Sequence, residues 1–173
     1  VAGICSAVIE NCWAKCALSG GRYVGGITGL TSATVRSSYA KCSLSGKSYV
    51  GGITGSGVAE TVDGGGSTVA GCISLVNITA CEQHGGAISG ADAGTFTGNR
   101  FLSDSLAGLD RASASGRAEP ISYEELAEKD GLPDTMTTFT LSFVADGEVL
   151  SAKRFAYGAS FTEDTFPDIP EKD

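Results

Sequence analysis

Tyr23-Val24-Gly25-Gly26-Ile27-Thr28-Gly29 returns unchanged as Tyr49-Val50-Gly51-Gly52-Ile53-Thr54-Gly55, 26 residues further on. An identical echo at that spacing marks a repeat architecture. Working outward, Val1-Ala2-Gly3-Ile4-Cys5-Ser6 is a worn copy of Val24 to Gly29, so the chain opens inside a repeat. The segment from Ile9 to Gly20, with Cys12-Trp13-Ala14-Lys15-Cys16-Ala17-Leu18-Ser19, matches Val35 to Gly46 at the same spacing. A third copy runs from Val69 to Thr79 and closes at Gly85-Gly86-Ala87-Ile88-Ser89-Gly90. Aligning Gly85-Gly86 with Gly51-Gly52 makes that interval 34 residues and puts His84 opposite Val24 and Val50. The extra length is expected between Gly57 and Ser67, with Asp63-Gly64-Gly65-Gly66 at its tip. A fainter fourth copy starts at Gly94 and reaches Phe101.

Parity within a copy decides the element type. Cys12, Ala14, Cys16 and Leu18 share one face of an extended segment, and Trp13, Lys15, Ala17 and Ser19 the other. The next copies put Ser38, Ala40, Cys42 and Leu44, then Cys72, Ser74, Val76 and Ile78, on the first face. Small and apolar side chains on one face at period two predict strands over a narrow core. The expected fold is all-β: a parallel β-helix or solenoid of three to four coils, in which identical residues stack as ladders. Cys16 and Cys42 share a position. Neighbouring parallel strands lie ~4.8 Å apart, whereas a disulfide draws its Cβ atoms to ~3.8 Å. The cysteines are therefore expected as buried, reduced core residues, with bridging left open for Cys5 and Cys81 near turns.

Gly is frequent, 25 of 173, and Pro is rare, 4, which suits short strands joined by tight turns. The net charge of −8 gives no basic face for nucleic acid and no attraction to an anionic membrane surface. No apolar run is long enough to span a bilayer. Both ends read as cut from a longer chain, so the missing signal peptide says little about compartment. The six cysteines contain no CxxC pair, and a single His, His84, leaves zinc little support.

The pattern Asn11-Cys12-Trp13-Ala14, then Ser19-Gly20-Gly21-Arg22-Tyr23-Val24-Gly25-Gly26-Ile27-Thr28-Gly29, resembles the GLUG-motif repeats of bacterial surface proteins. Those repeats read approximately Asn-Cys-Tyr-Ala, a Gly-Gly turn, then Val-Gly-Gly-Leu-Val-Gly. Here Ile27 and Ile53 stand for Leu, Thr28 and Thr54 for Val, and Trp13 for the Tyr that Tyr39 keeps, while Ser37-Ser38 has lost both Asn and Cys. The resemblance covers roughly residues 1–105. It implies an extracellular bacterial protein, or a region flanking a secreted IgA-cleaving metalloprotease.

Beyond it, Asp104 to Gly116 reads as a polar run over the end of the repeats. Pro120 to Pro133 predicts a short helix, with Ser122 as N-cap, Glu125 completing a capping box, Lys129 in the last turn, and Gly131 and Pro133 as stops. Its expected task is to cover the open end of the solenoid. Phe139 to Val144 alternates, Asp146-Gly147 predicts a hairpin turn, and Glu148 to Phe155 returns. That order, with Tyr157-Gly158 and then Pro167 and Pro170, resembles the start of an internalin-type B repeat, a small β-rich module strung between surface domains. The expected domains are a solenoid at 1–118, capping helix and linker at 119–136, and a hairpin of a truncated B-repeat-like module at 137–173.

Catalytic patterns find little footing. A zinc protease needs two His one helical turn apart, and a Ser-His-Asp triad would come without its GxSxG. Asp63, Asp92, Asp104 and Asp110 are scattered and read as loop carboxylates rather than a glycosidase pair. No calcium-binding nonapeptide recurs, and no Lys-Ser/Thr follows the Gly pairs to cradle phosphate. Those glycines read as turn residues, and the sequon at Asn77-Ile78-Thr79 as chance. The candidate binding residues are Trp13 and Tyr39, which share an outward position; Tyr23 and Tyr49 share another. Stacked exposed aromatics bind sugars or proteins, or simply cover a coil. The expected function is a non-catalytic structural or adhesion module on a bacterial surface, monomeric, without cofactor or metal, with host glycan or protein as partner. The alternative is an accessory region of a secreted enzyme, or a polysaccharide-active β-helix.

Overall fold

The computed structural model describes residues 2–58, 66–102, 106–110 and 116–167. It comprises two compact units, Val1–Ser122 and Tyr123–Asp173. In the first, the strands belong to three sheets, and every strand pairing is parallel. The first sheet holds Ala2–Cys5, Thr28–Thr31 and Thr54–Gly57, and single bridges extend it through Ser89 to Leu109. The second holds Ile9–Glu10, Thr34–Arg36, Thr68–Ala70 and Thr95–Thr97. The third begins with Trp13–Gly25 and Tyr39–Gly51. It continues with Ile73–Ser74 and Asn77–Gly86 side by side along Tyr39–Gly51, then Asn99–Phe101 and Ala118–Pro120. The chain passes through the three sheets in this order and then starts the next row.

Register carries the repeat into space. Trp13 faces Tyr39, Cys16 faces Cys42, Leu18 faces Leu44 and Val24 faces Val50. The predicted inner face is the buried one: Ala14, Ala40, Cys42, Leu44, Cys72 and Ser74 are all buried, with Ile27, Ile53 and Ile88 stacked beside them. Thr95–Thr97 pairs in parallel with Thr68–Ala70, and Asn99–Phe101 with both Ile73–Ser74 and Ala118–Pro120. Thr34 pairs with Thr68 whereas Thr31 pairs with Gly57, which puts the extra length between Gly57 and Thr68, as the repeat alignment predicts. The tip at Asp63, Gly64 and Gly65 lies outside the described residues, as does Asp104.

Several polar groups inside are satisfied in ladders of their own, whereas the buried Ser74 hydroxyl has no hydrogen-bond partner among the described residues. Thr28, Thr54 and Ser89, all fully buried, each donate a side-chain hydrogen bond to the carbonyl two residues ahead, at 2.7–3.0 Å. This local bond is why a hydroxyl is tolerated in a dry row. Asn99 closes another ladder. Its Oδ1 accepts from Cys72 N at 3.0 Å, and its Nδ2 donates to Val69 O and Arg117 O at 2.8 and 2.9 Å.

Corners recur as well. Asn11, Ser37, Gly71 and Gly98 take φ of 52°, 46°, 59° and 60° between the second and third sheets. Tyr23, Tyr49 and His84 take 58°, 58° and 59° before the return to the first sheet. Gly25 and Gly51 sit at this turn, but the left-handed residues beside them are the tyrosines. Gly is needed at 25 and 51 for space, since a Cβ would lie 2.1 Å from Thr28 O or 2.0 Å from Thr54 O.

The alignment of His84 with Val24 and Val50 is also corrected. Gly85 pairs with Val50 and Gly86 with Gly51, so His84 occupies the tyrosine position. The cause is a bulge: Ile78 pairs with Leu44 and Ala80 with Ser45, leaving Thr79 unpaired. Thr79 Oγ1 donates to Leu44 O at 3.2 Å, satisfying a carbonyl at the break in the ladder. Two further readings change. Cys12 is exposed and Cys16 and Cys81 half-buried, so only Cys5, Cys42 and Cys72 fit the buried reading. Cys12 and Cys16 belong to the first row, which has a neighbouring row on one side only among the described residues. The stretch after Asp104 is more than a polar run, because Leu109 is fully buried and bridges Ser89.

The second unit has helices at Tyr123–Ala127 and Asp134–Thr137, burying Leu126 and Met136 respectively. Strands Thr138–Ala145 and Glu148–Ala156 form an antiparallel hairpin. Its turn residues Asp146 and Gly147 have φ of 50° and 84°, the two left-handed conformations that a tight two-residue hairpin turn demands. The register shifts between Phe143 and Val144.

Candidate functional site

Trp13 and Tyr39 are register partners in the third sheet. Trp13 is 53% exposed, the more open of the two, and Tyr39 is half-buried. Neither makes a ring–ring contact within the described residues. The position continues along the sheet as Ile73, Arg100 and Glu119, with Arg100 and Glu119 joined by an ion pair at 2.6 Å.

The other aromatic position is organised differently. Tyr23, Tyr49 and His84 form a continuous stack, with centroids 5.0 and 4.5 Å apart and ring planes within 26° and 11°. The left-handed φ shared by all three aims the rings along the stacking direction. The Arg22 guanidinium lies 5.0 Å from the Tyr23 centroid and 5.5 Å from that of Tyr49, and donates to Tyr23 Oη at 3.2 Å. At the other end His84 Nδ1 lies 2.8 Å from Asp110 Oδ2. Asp110 Oδ1 is buried and has no hydrogen-bond partner among the described residues.

The repeat alignment paired Tyr23 with Tyr49 but missed His84 and Asp110. The available signal was spacing, since Asp110 follows His84 by the same 26 residues that separate Tyr23 from Tyr49. Because these rings spend their faces on one another, they offer a ligand chiefly their edges. Beside the first of them a shallow groove of about 220 Å³ is lined by Ala2, Gly3, Leu18, Arg22 and Tyr23. In the second unit a comparable depression of about 240 Å³ lies against Phe139, Leu141, Phe155, Tyr157 and Phe161.

Charged groups on the outside are engaged between rows. Glu10 accepts from Arg36 at 2.8 Å, and this carboxylate holds the Arg36 guanidinium above its ordinary pKa. Asp92 pairs with Arg117 and raises it likewise. Buried thiols are shifted too: burial, and then the hydrogen bond with Cys16, push Cys42 up to about 12, and burial pushes Cys72 up to about 11. Among the described residues no three His, Cys, Asp or Glu side chains gather as a metal site. Nor is any helix there long and apolar enough to cross a membrane.

Comparison with protein-family models, curated proteins and solved structures yields no match.

Proposed function

We propose that this chain is a β-solenoid module of a bacterial surface protein, extracellular and non-catalytic, which presents a binding face while acting as a rigid spacer. The observation that carries the reading is the in-register stacking of like residues over successive rows. Lys15 lies on Lys41, Cys16 on Cys42, Leu18 on Leu44 and Val24 on Val50. A stacked repeat of this kind gives a stiff body with long lateral faces, the form used by spacers and by proteins that bind along a surface. The GLUG-like pattern supports the surface location. The engaged state of Glu10, Asp92, Asp110 and Glu119, each held by Arg or His, favours structural over catalytic use of those carboxylates.

Within this reading the ligand-facing pair is Trp13 and Tyr39, because Trp13 is exposed and stacks on no other ring among the described residues, whereas Tyr23, Tyr49 and His84 stack on one another. An aromatic face of that kind stacks on the apolar face of a sugar ring or on an exposed side chain of a host protein. The test is an array of glycans and host matrix proteins probed with the wild-type chain and with Trp13→Ala/Tyr39→Ala. Binding by wild type that falls at least ~10-fold in the double variant, with unchanged β-rich circular dichroism, is the expected result. Equal binding by both proteins would remove this pair from the proposal, and no binding by the wild type would leave the spacer role alone.

A further inference from the structure

Cys16 and Cys42 face one another across the first two rows of the third sheet, with their Sγ atoms 3.2 Å apart. This is closer than two sulfur atoms in simple van der Waals contact. In-register Cα atoms on parallel strands are separated by roughly 4.8 Å, inside the ~4.4–6.8 Å range that disulfides occupy. The comparison with Cβ separation alone, which disfavours a bridge, overlooks that the side chains of this pair already converge. No other two cysteines share a register position in adjacent rows: Trp13 to Gly25 is matched by Tyr39 to Gly51 at 16 and 42 only. The two thiols also differ in access. Cys16 is half-buried, whereas Cys42 is buried against Ala14 O and beside Gly26, with only 4% of its surface exposed.

We propose that Cys16 and Cys42 form a dithiol that thiol–disulfide exchange converts to an inter-row disulfide, locking the first row of the sheet to the second. The oxidant is a low-molecular-weight disulfide, RSSR. Cys16, as thiolate, attacks one sulfur of RSSR, forming a mixed disulfide and releasing one RSH, which takes up the proton Cys16 lost. Cys42 then gives up its proton and attacks Cys16 Sγ, expelling the second RSH. Two protein thiols are oxidised by two electrons and RSSR is reduced to two thiols. The buried position of Cys42 makes the second step the slow one and directs the reagent to Cys16 first. This inference concerns the chain's own covalent state and stands whether or not Trp13 and Tyr39 bind a ligand.

The test uses the folded wild-type chain incubated with glutathione disulfide, quenched with N-ethylmaleimide and digested with trypsin without reduction. Cleavage after Lys15, Arg22, Lys41 and Lys47 isolates the two cysteines in separate peptides, Cys16–Arg22 and Cys42–Lys47. The expected product is those two peptides joined, with a loss of two hydrogens, and with Cys72 unlinked in the same sample. Oxidation should raise the thermal midpoint of wild type by several degrees and leave Cys16→Ser unmoved. Recovery of Cys16 as a stable glutathione adduct with Cys42 still free after prolonged incubation would overturn the proposal. A dominant link from Cys16 to Cys12 or Cys5 would do so equally.

Discussion

A methyl group added at position 51 would lie 2.0 Å from Thr54 O, 2.5 Å from Gly90 N and 2.7 Å from Ser89 Cα. All three are backbone atoms, the last two from the neighbouring row, and cannot swing aside. Gly51→Ala is therefore expected to destabilise the first unit by ~3 kcal/mol or more, from overpacking with no flexible neighbour to yield. Gly21→Ala is its control: nothing lies within 4 Å of the added Cβ, and the effect should stay within ~0.5 kcal/mol. Chemical denaturation of the two variants beside wild type measures both. The invariance of Gly25 and Gly51 between copies was legible in the sequence, but its cause was not. The glycines read as turn residues, which they are, while the left-handed conformation at that turn falls on Tyr23 and Tyr49. An aromatic side chain carries no sign of that role, because its φ is imposed by the rows packed around it.

At the scale of elements, the hairpin was readable almost residue by residue. Phe139 to Val144 alternates, and Asp146-Gly147 is a pair that accepts two left-handed conformations in succession. Gly147→Val puts a β-branched side chain at φ 84° and should open the hairpin. Hydrogen exchange should then lose protection across Thr138–Ala156, while Tyr39–Gly51 keeps its wild-type protection. Retained protection in the hairpin would show that strand pairing, rather than the turn, holds it. Asn77–Gly86 shows where pattern reading failed. The unpaired Thr79 shifts everything after it by one residue, and the neighbouring Gly85-Gly86 imitates the Gly pair of the other copies. Leu109 escaped notice for a related reason: a single bridge has no period to detect.

For the whole molecule, the buried thiols predict how stability responds to alkali. Cys42 and Cys72 have ordinary values of 9.0 and folded values raised to about 12 and about 11. Below pH 9 both remain protonated folded or unfolded, and their contribution is constant. Between 9 and 11–12 the unfolded chain releases protons that the folded chain retains, so folding becomes less favourable as pH rises. The melting temperature should hold between pH 7 and about 8.5 and fall above about 9.5, with a shallower fall in Cys72→Ala. A flat profile to pH 11 in wild type would contradict it. Composition carried the class of the molecule, mostly β with little helix, and the repeat carried the order of its strands. What neither could carry was which outward groups meet between rows. The contact of Arg117 with Asp92 spans 25 residues and departs from the repeat interval, whereas that of His84 with Asp110 keeps the 26-residue interval but not the residue types of the other copies.

The three corners of each row differ in their tolerance of length. The corner from second to third sheet is held by Asn11, Ser37, Gly71 and Gly98, and the return to the first by Ile27, Ile53 and Ile88. The passage from first to second sheet varies widely, from the short link Ser32-Ala33 to the long one between Gly57 and Thr68. At that long link the ends are clasped, Ser67 N donating to Val58 O at 2.9 Å and Ser67 Oγ to the same carbonyl at 3.1 Å. That clasp fixes where the chain leaves the first sheet and where it enters the second. A peptide grafted at this corner is expected to leave the paired strands on either side in place, because the ends it would join are already held together at Val58 and Ser67.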